Sequence, residues 1–290
     1  MNSLKRLGFP DHTKLLIIHA DDAGLAHSEN QATMQALAKG QVSSTSIMMP
    51  CPWCYEMIEF AKTHPQFDYG IHLTLTCEWK YYKWRPILPA AEVPSLVDNH
   101  GFMHAKRLDI INKAATEDVR KEMTAQIEIA LEWGLKPSHL DAHMSTLSLN
   151  PELIELYRAL GKTYRLPILL NRQLIPSFGV HADDCLLEDD LCVDNLYFGD
   201  YKDYEKDGLE AYYTHVLDNL PSGLNEILIH PAFDDREMQG ITVEHPNFGA
   251  KWRQMDYDYF TSAACQSTLE KKNIELITWQ KIKDILYPES

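Results

Sequence analysis

Long apolar runs are absent from this chain of 290 residues. No segment approaches the roughly 18 consecutive apolar residues of a membrane-spanning helix, so the sequence predicts no membrane partner. Residues 1–14 are polar, and the apolar run that follows them is too short for a signal peptide. We therefore expect a cytoplasmic protein whose six cysteines are reduced thiols.

Basic residues are also scarce, since 27 Lys and Arg stand against 42 Asp and Glu, for a formal net charge of −15. This charge argues against nucleic acid or an anionic membrane surface as a partner, because phosphates are bound by cationic surfaces. Internal repeats, low-complexity tracts and linkers are lacking as well. We therefore expect one domain over residues 1–290, with a homo-oligomer left open.

Strand-like and helix-like segments alternate along the chain. Such alternation predicts a parallel sheet with helices outside it, and a (β/α) barrel of this kind commonly occupies about 250 residues. We therefore predict a single-domain α/β fold that resembles a TIM barrel, regular or distorted. The predicted strands are 15–18, 42–49, 68–76, 136–143, 166–170, 224–229 and 274–278. The predicted helices are 28–39, 52–64, 117–133, 151–161, 209–220, 256–271 and 279–286.

The first strand leads directly into two adjacent acids. Leu15 to Ile18 read as a strand buried on both faces, and Asp21, Asp22 and Gly24 follow it. A buried strand with carboxylates at its C-terminal end is typical of α/β enzymes. The alternative is a solvated turn that caps the next helix. In that helix Ser28 is the predicted N-cap, with Gln31 completing a capping box and Gly40 at the C′ position.

Further polar side chains recur where other predicted strands end. In a barrel those ends converge on one face, and one carboxylate with two imidazoles is a normal ligand set for Zn²⁺ or a related divalent ion. A lone histidine is more often a hydrogen-bonded core residue, but several independent strand ends with His or Asp favour a site. The candidates are Asp21, Asp22, His72, His139, Asp141, His143 and His230.

Four short motifs around these candidates carry a resemblance to a known family. They are His-Ala-Asp-Asp-Ala-Gly at 19–24, Gly-Ile-His-Leu-Thr at 70–74, Ser-His-Leu-Asp-Ala-His at 138–143 and His-Pro-Ala-Phe at 230–233. In this order they resemble the motifs of the YdjC-like carbohydrate deacetylases, which include diacetylchitobiose deacetylases. The resemblance implies a barrel-like fold and metal-dependent hydrolysis of an N-acetyl group from an amino sugar or short chitooligosaccharide.

The resemblance also implies roles for the matched positions. Asp22, His72 and His143 would hold one divalent ion, Mg²⁺ or Zn²⁺. Asp21 would be the general base and His230 the general acid, and we expect an acidic neighbour to keep His230 protonated. His139 and Asp141 would support the ligands from behind. After His143 the chain departs from many relatives, which continue with further histidines, and this leaves the sugar open.

One irregular segment and one charged region offer candidate substrate contacts. The predicted loop 77–108 is rich in aromatic residues, among them Trp79 and Trp84, which could stack on a sugar, cover a core or form an oligomer contact. Arg253 lies in a charged and aromatic region that could line a sugar pocket or be a solvated loop. Residues 173–203 are irregular and acidic, and we interpret them as an insertion.

Other functions remain open from the sequence alone. Cys51 and Cys54 form a CxxC pattern at a predicted helix start, where a redox pair could lie, but the surrounding motifs favour hydrolysis and structural thiols. A metal-dependent hydrolase of another amide or ester is one alternative function. A catalytically silent carbohydrate-binding protein is another, although binding alone would require neither Asp21 nor His230.

Overall fold

A parallel sheet forms the centre of the molecule in the computed structural model, which describes residues 3–39, 41–206 and 208–288. Every strand pairing in this sheet is parallel, so the C-terminal ends of the strands share one edge. Within these residues the strands are β1 (Lys14–Ala23), β2 (Ser44–Ile47), β3 (Tyr69–Leu73), β4 (Leu140–Ala142), β5 (Asn195–Tyr197), β6 (Gly223–Ile229) and β7 (Ile274–Leu276).

Strand β1 lies in the middle of the sheet. One edge pairs with β6, and the other edge pairs with β7 near its start and with β2 near its end. The aliphatic side chains of Leu15, Leu16, Ile17 and Ile18 are fully buried, because both faces of this strand are covered. The predicted buried strand before the two acids is therefore confirmed.

The sheet curls into a half-barrel. Its strand order is β4-β3-β2-β1-β6-β5, with β7 attached to β1, so β4 and β5 lie at the two ends. Residues 166–171 run between these ends and make two isolated bridges, Leu140 with Ile168 and Asn171 with Val193. The predicted strand 166–170 is reduced to this bridging segment. The prediction of a single-domain α/β fold is confirmed, and the half-barrel is consistent with the predicted barrel-like shape.

Helices connect most of the strands. They are α1 (Ser3–Leu7), α2 (His27–Lys39), α3 (Cys54–Thr63), α4 (Arg107–Lys113), α5 (Thr116–Glu132), α6 (Pro151–Tyr164), α7 (Tyr201–Lys206), α8 (Gly208–Asp218), α9 (Arg236–Ile241), α10 (Ala250–Phe260), α11 (Ala263–Lys271) and α12 (Trp279–Leu286). All seven predicted helices have a counterpart among these. The short helices α1, α4, α7 and α9 were not predicted.

Three details of the predicted helices are wrong. Ser28 is not the N-cap of α2, which begins at His27; its hydroxyl instead donates to the carbonyl of Phe233, 3.0 Å away. Helix α6 continues past Gly161, where a Cβ would lie 2.6 Å from Ile168 Cγ2, so this glycine allows close packing rather than ending the helix. The predicted helix 256–271 is two helices, and the Ser262 hydroxyl caps the second.

The predicted insertion 173–203 contributes a strand to the sheet. Its residues 195–197 form β5, which pairs with β6. Three residues that are all half-buried carry little strand signal, which explains why sequence patterns missed it. Whether the segment is an insertion relative to other family members stays a prediction. Gly40, the predicted C′ residue of α2, lies outside the described residues.

The long segment 77–108 is mostly irregular, as predicted, but it is packed. Cys77, Trp79, Trp84 and Met103 are buried in one cluster with side chains that follow β1 and β2. Both tryptophans therefore help to cover a core. Among the described residues, no helix combines the length and apolarity that a membrane crossing requires.

Candidate active site

A cavity of about 320 Å³ lies at the edge where the strands end. Its wall includes residues from the ends of β1, β3, β4 and β6, together with parts of the loop 77–108 and of the segment 245–253. Six of the predicted site residues line it, which are Asp21, Asp22, His72, Asp141, His143 and His230. The predicted convergence of polar strand ends is therefore present in the structure.

An irregularity near the end of β1 lets two adjacent carboxylates reach the same cavity. Asp22 has a φ of 64°, in the left-handed region, so the chain turns at this residue instead of alternating as in a strand. Gly24 has a φ of 93°, and a Cβ there would lie 2.9 Å from the Cα of Cys54. Glycine is required at this position because only it meets both conditions.

Three side-chain atoms from different strand ends face one another. Asp22 Oδ1 lies 3.1 Å from His143 Nδ1 and 3.4 Å from His72 Nε2, and the two nitrogens are 3.3 Å apart. Ligand atoms bound tetrahedrally to Zn²⁺ at about 2.0–2.1 Å are themselves about 3.3 Å apart, so the three atoms fit one face of such a coordination shell. Asp22 Oδ1 is buried and has no hydrogen-bond partner among the described residues. These residues therefore fit a divalent cation.

The charges in this cluster favour an anionic aspartate. Burial raises the pKa of Asp22, but His143, His72 and Arg253 outweigh it and hold this pKa well below its usual value. Burial lowers the pKa of His143, but the charges of Glu78 and Asp22 raise it to about 9. A divalent cation that binds here therefore competes with a proton on His143.

Asp141 supports His72 from behind. Its Oδ1 accepts a hydrogen bond from His72 Nδ1 at 2.8 Å, which leaves Nε2 free to bind a cation. Its Oδ2 lies 3.0 Å from His19 Nε2 and accepts from Ser46 at 2.7 Å. The structure therefore places Asp141 where a supporting residue would lie.

His139 lies farther from the cavity. It is fully buried, stacks on Trp279 and contacts His19 edge-on, with ring centroids 5.1 Å apart in both cases. A Cβ on Gly70 would lie 2.3 Å from this ring, so glycine is required beside it. His139 therefore reaches the predicted ligands only through other side chains.

His19 is a buried residue to which the sequence analysis gave no role. Its Nε2 lies 3.2 Å from Asp21 Oδ1 as well as close to Asp141. Burial lowers its pKa, but hydrogen bonds and charges from Asp141 and Asp21 raise this pKa to about 10. His19 is therefore an imidazolium that lies between the carboxylates of Asp21 and Asp141. His19 is the first residue of the motif at 19–24, so it was visible in the sequence. An isolated histidine within an apolar strand, however, gives no indication of its partners.

Asp21 and His230 lie on the same side of the cavity. Asp21 Oδ2 is 3.7 Å from His230 Nε2, and the ring of His230 contacts Phe248. Burial lowers the pKa of His230 to about 4 and outweighs the attraction of Asp22 and Asp21. The expected acidic neighbour is present as Asp21, but it does not keep His230 protonated, because desolvation is the larger effect.

Arg253 and Trp79 line the cavity, whereas Trp84 is not among the lining residues. The guanidinium of Arg253 is 1% exposed and donates to Asp22 Oδ2 at 2.9 Å. Trp84 is buried and its indole N–H donates to the carbonyl of Thr76 at 3.1 Å. Of the three candidate substrate contacts, Trp79 and Arg253 reach the cavity wall and Trp84 contacts the core beneath it.

Glu78 is a site residue that sequence reasoning missed. It lines the cavity, and its Oε2 accepts a hydrogen bond from His143 Nε2 at 3.1 Å, so His143 Nδ1 is the nitrogen that faces Asp22. Glu78 belongs to the irregular segment 77–108, where no periodic pattern points inward.

Immediately beyond His143, Met144 and Ser145 also line the cavity, with left-handed φ values of 53° and 55°.

The cysteine pair does not have the features of a redox site. Cys51 and Cys54 are both buried and free. Burial raises the pKa of both thiols, that of Cys54 to about 11, so neither is a reactive thiolate at neutral pH. The interpretation of these residues as structural thiols agrees with this placement.

Comparison with known proteins gives consistent results. The model of a family described as YdjC-like protein matches residues 15–271. A carbohydrate deacetylase from Thermus thermophilus is 30% identical over 291 residues, which cover 99% of this chain and 100% of that protein. A carbohydrate deacetylase from Enterococcus faecalis is 29% identical over 274 residues, which cover 93% of this chain and 98% of that protein.

A crystal structure from Enterococcus faecalis V583 resembles this chain as well. The protein carries the provisional name cellobiose-phosphate cleavage protein and is 27% identical to this chain. The match covers 93% of this chain and 99% of that chain, with a TM-score of 0.76. The two chains therefore share one fold over nearly their whole lengths.

Proposed function

The chain belongs to the YdjC-like protein family, and from that premise we propose that it is a metal-dependent hydrolase that removes the acetyl group from an N-acetylated amino sugar or a short chitooligosaccharide. Curated relatives over nearly the full length are carbohydrate deacetylases. The observation that carries the proposal is the convergence of Asp22, His72 and His143 beside Asp21 and His230 in one cavity.

The proposed cation site fits the chemistry of amide hydrolysis. A divalent cation held by Asp22, His72 and His143 would polarise the acetyl carbonyl and lower the pKa of an attacking water. Glu78 and Asp141 each fix one histidine ring, so the coordinating nitrogens are oriented before a cation arrives. Mg²⁺ and Zn²⁺ both remain candidates, although two imidazole ligands favour Zn²⁺.

Asp21 and His230 would move the proton. Asp21, as the general base, takes the proton from the attacking water. His230 is neutral at rest, because burial lowers its pKa to about 4, so it must gain a proton before it can donate one. With 3.7 Å between Asp21 Oδ2 and His230 Nε2, Asp21 can supply that proton after a small approach. His230 then donates it to the amine, which leaves poorly as an anion.

The cavity suits a small carbohydrate. Its volume of about 320 Å³ lies at the lower end of the range, about 300–1,000 Å³, of small-molecule sites. Trp79, Phe198, Phe248 and His245 line its wall, and aromatic rings can stack on the apolar faces of sugars. A mono- or disaccharide is therefore the expected size class.

Acetate release from a panel of N-acetyl sugars tests the proposal. The panel contains mono- and disaccharides, each with and without a phosphate, because one relative is provisionally named for a sugar phosphate. Metal-free protein is assayed alone and after addition of Zn²⁺ or Mg²⁺. Acetate released only with metal supports the proposal.

Two other results would replace the proposal. Sugar binding without acetate release, at every metal tested, would indicate a silent binding protein. Turnover of simple amides or esters but of no sugar would indicate another hydrolase. Regular TIM-barrel closure, a cytoplasmic location and a homo-oligomer stay predictions.

A further inference from the structure

We propose that Arg253 is a positioning residue that makes Asp22 a one-oxygen ligand by occupying its second oxygen. The inference rests on the cation site of the proposed function. It assigns to Arg253 a role different from the substrate contact that the sequence suggested. It also links helix α10, which starts where no helix was predicted, to the end of β1.

The guanidinium of Arg253 is held on several sides. Nη2 donates to Asp22 Oδ2 at 2.9 Å, Nη1 donates to Glu29 Oε1, and Nε donates to the carbonyl of Phe248 at 2.8 Å. The ring of Trp79 lies against the group, with 5.5 Å from its centroid to the guanidinium carbon. Three donors in different directions and a covered face fix this cation in one orientation.

This arrangement gives the two oxygens of Asp22 different partners. Oδ1 faces His72 and His143 at 3.4 and 3.1 Å, whereas Oδ2 is engaged by Arg253. A carboxylate that is free to rotate could bind a cation through both oxygens or turn away from it. With Oδ2 engaged, only Oδ1 remains, and it already lies at the distance from the imidazole nitrogens that a shared cation requires.

Glu29 is a second carboxyl partner of Arg253. It lies in the first turn of α2 and is fully buried, and so is the guanidinium that it contacts. A buried cation without a carboxylate partner is strongly destabilising. Glu29 anchors the guanidinium by a hydrogen bond, while Asp22 supplies the carboxylate charge that this buried cation requires.

Contact with substrate is the competing role for Arg253, since the residue lines the cavity. Its side chain is only 1% exposed, and its Nε, Nη1 and Nη2 atoms each already donate to the protein. Two of its five N–H groups are not used in these contacts, but with 1% of the side chain exposed a substrate oxygen has almost no access to them. The contacts therefore favour positioning of Asp22.

Metal affinity of the Arg253→Lys and Arg253→Gln variants tests the inference. Metal-free protein is titrated with Zn²⁺ in competition with a chromophoric chelator. Loss of an outer partner of a ligand typically weakens metal binding about 10–100-fold, and we expect this range for Arg253→Lys and at least as much for Arg253→Gln. At saturating Zn²⁺ the KM for sugar should stay near the wild-type value, because the residue does not touch substrate.

Arg158→Gln is the matched control. Arg158 makes a two-pronged pair with Asp190, at 2.8 Å for both Nε and Nη2, and it does not line the cavity. This control loses an arginine–carboxylate pair as the test variants do. It should therefore lower the melting temperature without changing Zn²⁺ affinity.

A measurement on wild-type protein keeps the inference testable if the variants do not fold. X-ray absorption and a crystal structure of the Zn²⁺-loaded protein should show one oxygen of Asp22 at about 2.0–2.2 Å. Two coordinating oxygens from Asp22 would overturn the inference, and so would wild-type Zn²⁺ affinity in folded Arg253→Lys with a raised KM. If wild-type protein binds no metal stoichiometrically, the proposed function itself fails, and this result is distinguishable from the others.

Discussion

His72 and Asp141 form a hydrogen bond of 2.8 Å that fixes which imidazole nitrogen faces the cavity. Nδ1 donates to Asp141 Oδ1, so Nε2 is the nitrogen that faces Asp22 Oδ1, 3.4 Å away, and a cation bound there would take the place of any proton on it. An imidazole with the opposite tautomer would present a hydrogen to the cation. The carboxylate therefore selects the ligand form of the ring and raises its basicity.

Asp141→Asn should weaken divalent-metal binding about 10–100-fold, because the amide can hold the ring but carries no charge. The measurement is a Zn²⁺ titration of the metal-free variant. Asp68→Asn is its control, since Asp68 is also a buried carboxylate with several hydrogen bonds but does not touch the proposed ligands. Equal affinity losses in the two variants would contradict the role of Asp141.

Asp21→Asn should keep the metal and lose most of the turnover, by about 10²–10⁴-fold, which is typical for removal of a general base. Asp21 Oδ2 faces His230, and it is Asp22 that completes the three-atom cluster. Asp22→Asn should show the opposite pattern, with metal binding lost first. If Asp21→Asn lost stoichiometric metal binding, the two adjacent aspartates would have to exchange roles.

His230→Ala should also keep the metal, because its imidazole is not one of the three converging ligands. Its effect should depend on the leaving group. We expect about a 10²–10⁴-fold loss of kcat on an N-acetyl sugar and a much smaller loss on an activated acetyl ester, which needs no proton on its leaving group. Equal losses on amide and ester would remove His230 from the role of general acid.

The neutral imidazole of His230, whose side chain is 14% exposed, should also make stability depend on pH. Burial lowers its pKa from 6.5 to about 4 in the folded protein, so between these values the unfolded chain binds the proton more readily. The contribution of His230 to the free energy of unfolding is therefore fully present above pH 6.5 and is lost as the pH falls toward 4. For metal-free protein, wild type should lose on the order of 2–3 kcal/mol of unfolding free energy relative to His230→Gln across this window.

Denaturant unfolding of both proteins at several pH values between 4 and 7 measures this difference. Other titrating groups are common to the two proteins and cancel in the comparison. A constant difference across the window would show that His230 keeps an ordinary pKa in the folded protein.

Replacement of Cys51 and Cys54 by serine should leave turnover essentially intact and lower stability modestly. Each buried hydroxyl without a partner costs about 1–3 kcal/mol, while the backbone of Cys54 against Gly24 is unchanged. Thermal unfolding and acetate release, with and without reductant, check this. Activity of the wild type that responded to oxidant and reductant would restore the redox interpretation.

The sequence was sufficient for residues whose position follows from the period of a strand. Asp21, Asp22, His143 and His230 each end or follow a predicted strand, and His72 lies within one, near the end of the observed β3; parallel strands bring such ends together. The order of strands in the sheet and the end segment 195–197 were not accessible in this way, because short strands give almost no pattern.

The outer contacts of the site could not be predicted from periodicity. Arg253 and Asp22 are separated by 231 positions, and Glu29 resembles an ordinary acidic residue in the first turn of a helix. Helix α10 begins at Ala250, six positions before the predicted start, so Arg253 was assigned to a loop. Long-range pairing of buried charges leaves no trace in local sequence.

The segment 77–108 has a consequence for redesign of the enzyme. Its residues Glu78 and Trp79 contact His143 and Arg253, so one segment both shapes the cavity wall and braces a proposed ligand and the arginine that holds another ligand. Grafting the corresponding segment of a relative, to transfer its sugar preference, would succeed only if the graft carries a carboxylate and an aromatic ring at these two positions. An exchange of this segment therefore alters the sugar-binding wall and the support of the proposed metal ligands at the same time.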